Sequence, residues 1–379
     1  MRMIYLDNAA TTMVSPRVLD SMLRFYTKDY GNASGVHTLA RASRKAVEQA
    51  RREVSDAIGA NANEVFFTGS GTESDNWAIK GVAEAARPSC HIVTSAVEHH
   101  AVLNTCLWLQ QQGHPVTLVP VDSNGLVHPD DVRRAITPDT GLISIMAANN
   151  EVGTLQPVKE IGFIAREHGI PFHVDAVQAM GAVDVDVNAW QADLLSLSAH
   201  KFHGPKGVGA LYVRSGTHIR PLLHGGAQET GRRAGTENVA GIVGMGTALR
   251  LTQENKEEAV PRVRALRDRL IEGILSNIPG AHLNGHQTLR LANNVNVYFD
   301  GVEGEALLLR LDLLGIAASS GAACTSGVLE PSHVLTAMGR TRAQARSAIR
   351  FSLSDGNTMD EIDQVLQVLP QLVADLRAH

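Results

Sequence analysis

The sequence predicts an α/β fold, with a mostly parallel seven-stranded sheet in a large domain followed by a smaller α+β domain. Three observations predict it. Seven short β-rich runs between residues 65 and 213 are separated by helix-sized segments, the spacing that crossover connections between parallel strands require. Beyond about residue 250 this alternation gives way to a long charged helical stretch and isolated strands. The 379 residues also exceed the roughly 100 to 200 of an ordinary single domain. We therefore expect a large domain over 1–250, whose N-terminal segment can pack on its neighbour, and a small domain over 251–379.

The first element is an amphipathic helix, because Val47, Ala50, Val54 and Ala57 recur at three- and four-residue steps. The strands follow at 65–68, 91–94, 116–119, 142–145, 171–174, 194–197 and 210–213. A charged helix is expected over 254–275, a strand over 294–299, a helix over 303–314 and a last helix after Thr358. Between Ser347 and Leu353, the apolar Ile349, Phe351 and Leu353 alternate with Arg350 and Ser352. A strand there buries the apolar set and turns Arg350 to the opposite face. Open parallel sheets bind ligands beyond their strand ends, and the small domain should close over that crevice.

Composition narrows the function. Hydrophobic residues make up 44% and charged residues 19%, enough to build a core and to exclude disorder. The net charge is -5 and no long basic run could follow a phosphate backbone, so direct nucleic-acid binding is not expected. Three scattered cysteines, Cys90, Cys106 and Cys324, supply neither a disulfide framework nor a four-cysteine zinc site, and no metal is expected. They fit a reducing cytoplasm. No signal-peptide pattern and no run of roughly 20 apolar residues is present, so neither secretion nor a membrane span is expected.

The richest segment is 196–207, where a strand ends in Ser198-Ala199-His200-Lys201 before a Gly-Pro turn. Lys201 is an ordinary surface charge or, beside Ser198 and His200, a lysine of lowered pKa suited to Schiff-base chemistry on a carbonyl cofactor. Upstream, Asp175 leaves another strand, either as a helix N-cap or as the acid that keeps a pyridine nitrogen protonated. Phe67-Thr68-Gly69-Ser70-Gly71-Thr72-Glu73-Ser74 passes from strand to helix and reads as a glycine turn or a phosphate cup of helix N-terminal amides. It lacks the Walker lysine and Gly-x-Gly-x-x-Gly. Together the cup, Asp175 and Lys201 sketch a pyridoxal phosphate site.

These motifs, with 5–12, Asn149-Asn150-Glu151-Val152-Gly153, Gly235-Thr236-Glu237-Asn238 and Ser319-Ser320-Gly321-Ala322-Ala323-Cys324, occur in the order seen in cysteine desulfurases of the NifS and IscS type. The resemblance spans 5 to about 365 and implies the fold-type I architecture of class-V aminotransferases, with pyridoxal 5'-phosphate as cofactor. By motif it implies that Lys201 carries the cofactor as a Schiff base, Asp175 contacts the pyridine nitrogen and Gln178 the ring hydroxyl. Gly71, Thr72, Ser198 and His200 would hold the phosphate. Thr236 would reach the phosphate of a neighbouring subunit, implying a homodimer. His99 resembles the histidine that stacks on the ring and shuttles protons, although a solitary histidine is also a common structural residue. Asn150 and Arg350 resemble the substrate-carboxylate groups, the guanidinium being suited to bidentate binding.

The implied reaction converts L-cysteine to L-alanine and leaves a persulfide on Cys324 for a protein acceptor in iron-sulfur cluster, thio-cofactor or tRNA biosynthesis. Cys324 lies among small polar residues between Gly321 and Gly327, a setting for an exposed nucleophilic thiol. Cys90 and Cys106 read as buried small hydrophobes. Gly35 stands where the family often has serine, and His100 follows the stacking histidine where other residues are frequent. The chain also ends soon after its last helix, which leaves the sulfur acceptor open. Two rival readings share the scaffold: a selenocysteine lyase or other β-eliminating lyase, which needs no protein thiol, and a non-catalytic scaffold for sulfur-transfer proteins.

Overall fold

The computed structural model describes residues 3–86, 88–321 and 331–378. Along the chain, β1 (Ile4–Tyr5) leads to α1 (Pro16–Thr27) and α2 (Thr38–Ala57). Next come β2 (Val65–Thr68), α3 (Gly71–Ala85), β3 (His91–Ser95), α4 (His100–Gln111), β4 (Val116–Val119) and α5 (Pro129–Ala135). The large sheet is completed by β5 (Thr140–Ser144), α6 (Val158–Glu167), β6 (Phe172–Asp175), β7 (Leu194–Ser198) and β8 (Gly209–Val213). Helix α7 (Val239–Asn277) then leads to β9 (Ala281–Asn284), β10 (Asn294–Phe299), α8 (Gly304–Leu313) and β11 (Ile316–Ala317). The last described elements are α9 (His333–Ala337), α10 (Arg342–Arg346), β12 (Ala348–Ser352) and α11 (Met359–Arg377).

The seven-stranded sheet has the order β2-β8-β7-β6-β5-β3-β4. Only β8 opposes its neighbours, running antiparallel to β2 and β7, and every other pair is parallel. Five-residue β7, Leu194-Leu195-Ser196-Leu197-Ser198, is buried at every position, as expected of a strand covered on both faces. On one face α1, α2, α6 and α7 pack over Val174, Leu195, Leu197 and Tyr212. On the other, α3 and α4 bury Trp77, Ile79, Val102 and Cys106 against Ile92 and Leu194. Each large apolar side chain so buried contributes about 1.5 to 3 kcal/mol.

A second core lies in an antiparallel sheet of order β12-β10-β9, covered by α8, α11 and the end of α7. The N-terminus joins it, because β1 pairs in parallel with β11, Ile4 opposite Ile316. Leu6 carbonyl and Ser352 amide bond at 2.7 Å, so the chain starts on the small sheet and reaches the large one at Thr12.

Helix α7 differs from the sequence expectation of 254–275. It begins at Val239 and runs unbroken through Pro261 to Asn277, passing position 250. Gly241, Gly244 and Gly246 disguise its first turns, since glycine weakens an isolated helix by roughly 0.5–1 kcal/mol. Close approach explains them: a Cβ on Gly244 would lie 2.6 Å from Met22 Sδ of α1, and one on Gly246 2.7 Å from Ala50 Cα of α2. No described helix is long and apolar enough to cross a membrane.

Candidate active site

At the C-terminal ends of the parallel strands, where open sheets bind ligands, a cavity of about 360 Å³ opens between the two sheets. Ten expected residues line it: Gly71, Thr72, His99, Asn150, Asp175, Gln178, Ser198, His200, Lys201 and Arg350. Thr236 does not. It is exposed in the loop before α7. Cys324 lies outside the described residues.

Strand β7 ends at Ser198 and a short 3-10 turn, Ala199–Lys201, carries the lysine into the cavity. Lys201 Nζ donates to the carbonyls of Ala9 at 2.6 Å and Ala10 at 2.8 Å. Burial pushes its amine down to about 8, Arg350 adding to the effect while Asp175 and Asp7 oppose it. Thr12 fastens the N-terminal strand here, its amide and hydroxyl both donating to His200 O at 2.9 Å. The His200 ring meets Thr11 Oγ1 at 3.2 Å, and burial, with Lys201 and Lys206, pushes it down to about 4.

Asp175 ends β6 and is 6% exposed. It caps no helix; its Oδ1 accepts from the Val177 amide at 2.9 Å, and burial raises its carboxyl to about 6. Gln178 Nε2 donates to Ala9 O at 2.9 Å, so it shares that acceptor with Lys201. Across from them Ser70 caps α3 by accepting from Glu73 N at 3.1 Å, which leaves the other first-turn amides as open donors. A Cβ on Gly71 would sit 2.8 Å from Val177 Cγ2 and 3.2 Å from Ser198 Cβ. Only glycine lets Val177 and Ser198 approach that turn.

His99 caps α4, its Nδ1 accepting from Ala101 N at 3.1 Å. In the neutral ring the proton therefore sits on Nε2. The ring is open to the cavity yet closely walled, and burial followed by Lys201, His100 and His333 pushes it down to about 4.

Arg350 corrects an expectation. It does lie opposite the apolar face of β12, but it is only 4% exposed, because Asp7 and Asn150 cover that second face. Its Nη2 donates to Asp7 Oδ1 at 2.8 Å and its Nη1 to Asn150 O at 3.0 Å, while Nε is buried without a partner among the described residues. Sequence reasoning did not assign Asp7, Asp75, Glu98, Glu151 or His333, all in or beside the cavity. Asp7, Asp75 and Glu151 sit within or next to motifs quoted above and Glu98 adjoins His99; His333 carried no signal.

Residues 4–365 match the aminotransferase class-V family model. A cysteine desulfurase IscS of Methanosarcina thermophila is 56% identical over 375 residues, covering 99% of this chain and 93% of the relative. The chain belongs to the cysteine desulfurases of the class-V aminotransferase family. A solved NifS-like protein superposes on the desulfurase with a TM-score of 0.93 at 41% identity, covering 99% of this chain and 100% of that one. A structure described as SspA in complex with cysteine gives 0.83 at 38% identity, covering 94% and 100%. Members of this family use pyridoxal phosphate.

Proposed function

We propose that this desulfurase binds pyridoxal 5'-phosphate and L-cysteine in the cavity between the sheets, releases L-alanine, and leaves the sulfur as a persulfide on Cys324. The observation that carries the reading is Lys201, a half-buried strand-end amine pushed down to about 8 in one cavity with Asp175 and the N-terminus of α3. These groups fit the cofactor. The glycine-walled turn at Gly71 and the amides of α3 suit a phosphate, Ser198 and His200 flank it, and the buried Asp175 carboxyl suits a protonated ring nitrogen.

Pyridoxal phosphate supplies the electron sink that loosens the bonds of the substrate's α-carbon and labilises its Cβ–S bond. Lys201 would hold the cofactor, and its amine would take up the α-proton. Arg350 and Asn150 hold the substrate carboxylate and fix which bond faces the lysine. His99, neutral near pH 7, would offer a proton at Nε2 into the cavity. Cys324 attacks the substrate sulfur as a thiolate: a new S–S bond forms, the Cβ–S pair stays with carbon, and protonation there completes alanine.

Thr236 is proposed to complete the phosphate site of a second copy, making a homodimer. A large domain over 1–250 and a small one over 251–379, sharing α7, is supported by the separate cores. The sulfur acceptor is proposed to be a protein of iron-sulfur cluster, thio-cofactor or tRNA biosynthesis, and the compartment the cytoplasm. Borohydride reduction of the yellow purified protein, followed by peptide mapping, tests the site. The label is expected on Lys201; a label on Lys206 or elsewhere would overturn the assignment.

A further inference from the structure

Two carboxyls line one wall of the cavity, Asp175 at the end of β6 and Asp75 on α3, and a third, Glu98 just before α4, is buried within electrostatic reach of both. They are 6%, 1% and 0% exposed. Glu98 Oε1 accepts from Ser95 Oγ at 2.6 Å and Met146 N at 3.0 Å, while its Oε2 is buried without a partner. Among the described residues Asp75 Oδ1 is also buried and unpartnered, 3.6 Å from His173 Nε2. The described residues give neither acid an ion pair with lysine or arginine.

The other titratable neighbours bring no compensating charge. His173 sits between Ser144 Oγ at 2.8 Å and Ser196 Oγ at 3.0 Å, and burial pushes it down to about 3. His333 Nε2 meets the carbonyl of Glu98 at 2.9 Å, and burial lowers it as well. Cys106 on α4 has its thiol pushed up to about 12 by burial and by Glu98 and Asp75. Lys201 acts on Asp175. No group of histidine, cysteine and acidic residues among those described is arranged to hold a metal ion.

A carboxyl buried without a cation takes up a proton rather than remain charged. We infer that Asp75 and Glu98 are positioning residues, neutral acids that keep their protons and so leave Asp175 the single anion of this wall, facing the ring nitrogen. The inference rests on the pyridoxal phosphate reading of Asp175. Burial raises Glu98 to about 8 and holds Asp75 well above the usual carboxylate range, whereas Asp175, opposed by Val177 N and Lys201, rises only to about 6. An ionised Asp75 would drive the proton onto Asp175, since like charges cannot share such a site. The pair would still carry one negative charge, but on an oxygen that the ring nitrogen does not meet.

The test uses the full-length protein stripped of cofactor and titrated with pyridoxal 5'-phosphate. Asp75→Asn and Glu98→Gln substitute neutral isosteres and should keep the affinity within about threefold, while Asp175→Asn should lose about tenfold or more. If Asp175→Asn binds as wild type, the ring-nitrogen reading fails. If it is weakened and Asp75→Asn or Glu98→Gln is weakened as much, that reading stands and the neutral-acid inference is overturned.

A second readout needs no cofactor. In the unfolded chain Asp and Glu ionise near pH 4, while acids raised in the fold stay protonated to higher pH. Wild type should therefore lose thermal stability relative to Asp75→Asn and Glu98→Gln as pH rises from about 4 towards about 8. A difference constant with pH would overturn the inference. Should either variant fail to fold, wild type decides by itself: the infrared C=O stretch of buried protonated acids should persist at neutral pH, and its absence would refute their neutrality.

Discussion

Asp7, two residues beyond the first strand, binds Arg350 of the last, Asp7 Oδ1 accepting from Arg350 Nη2 at 2.8 Å. The pair places a nearly buried guanidinium in the cavity wall with its Nε lacking a partner. Charge-assisted bonds of this kind contribute about 1.5 to 3 kcal/mol. Arg350→Ala should thus raise the KM for cysteine roughly tenfold or more, leaving the resting cofactor spectrum intact. Steady-state kinetics check this, and an unchanged KM would place the carboxylate site elsewhere.

Lys201→Ala should abolish covalent cofactor attachment and turnover. In wild type, attachment requires the neutral amine. Its rate on reconstitution should climb with pH up to about 8 and then level off, whereas an ordinary lysine would keep gaining towards about 10.4. Stopped-flow absorbance across that range measures it.

Cys324→Ser should still bind cofactor and show the substrate-induced spectral change, yet release almost no alanine. Cys106→Ser should retain near wild-type turnover, because that thiol is fully buried and pushed up to about 12; Cys90→Ser, also buried, should do likewise. Brief exposure to cysteine without reductant should add one sulfur to the intact mass, mapping to the Cys324 peptide. Equal alanine release by Cys324→Ser would favour direct β-elimination, the lyase reading.

Thr236 is exposed on this chain, and α1 presents Leu19, Leu23 and Tyr26 to solvent at 48%, 52% and 61%, an apolar stripe suited to a second copy. If Thr236 completes a neighbour's site, cofactor affinity and dimerisation are linked by mass action. Thr236→Ala should weaken both the cofactor and the dimer in sedimentation runs at micromolar concentration. A monomer retaining stoichiometric cofactor would contradict the linkage.

Strands with dense β-branched and aromatic runs were legible from sequence: β2 and β4 fall on the expected 65–68 and 116–119. Two-residue β1 and β11 are too short to show a period and exist only because they pair with each other. The alternation around Arg350 gave its face but not its burial, since the cover comes from Asp7, distant in sequence. Lys201, Asp175 and the Gly71 turn were readable because chemistry at strand ends leaves compact motifs. Asp75 and Glu98 were not, since a carboxyl's charge state depends on neighbours brought together by folding.

Helix α7 runs from the large sheet's helices to the small sheet's core, 39 residues or roughly 58 Å at 1.5 Å per residue. It is a single rod between the two cores. Pro261 lacks the amide to continue the ladder, so the rod misses one rung there without breaking. Arg262, the next residue, grips the carbonyls of Asp355 and Asn357 just beyond β12. One continuous element thus carries side chains of both cores, so the spacing between the Lys201 side of the cavity and the Arg350 wall is tied to the packing of a single helix.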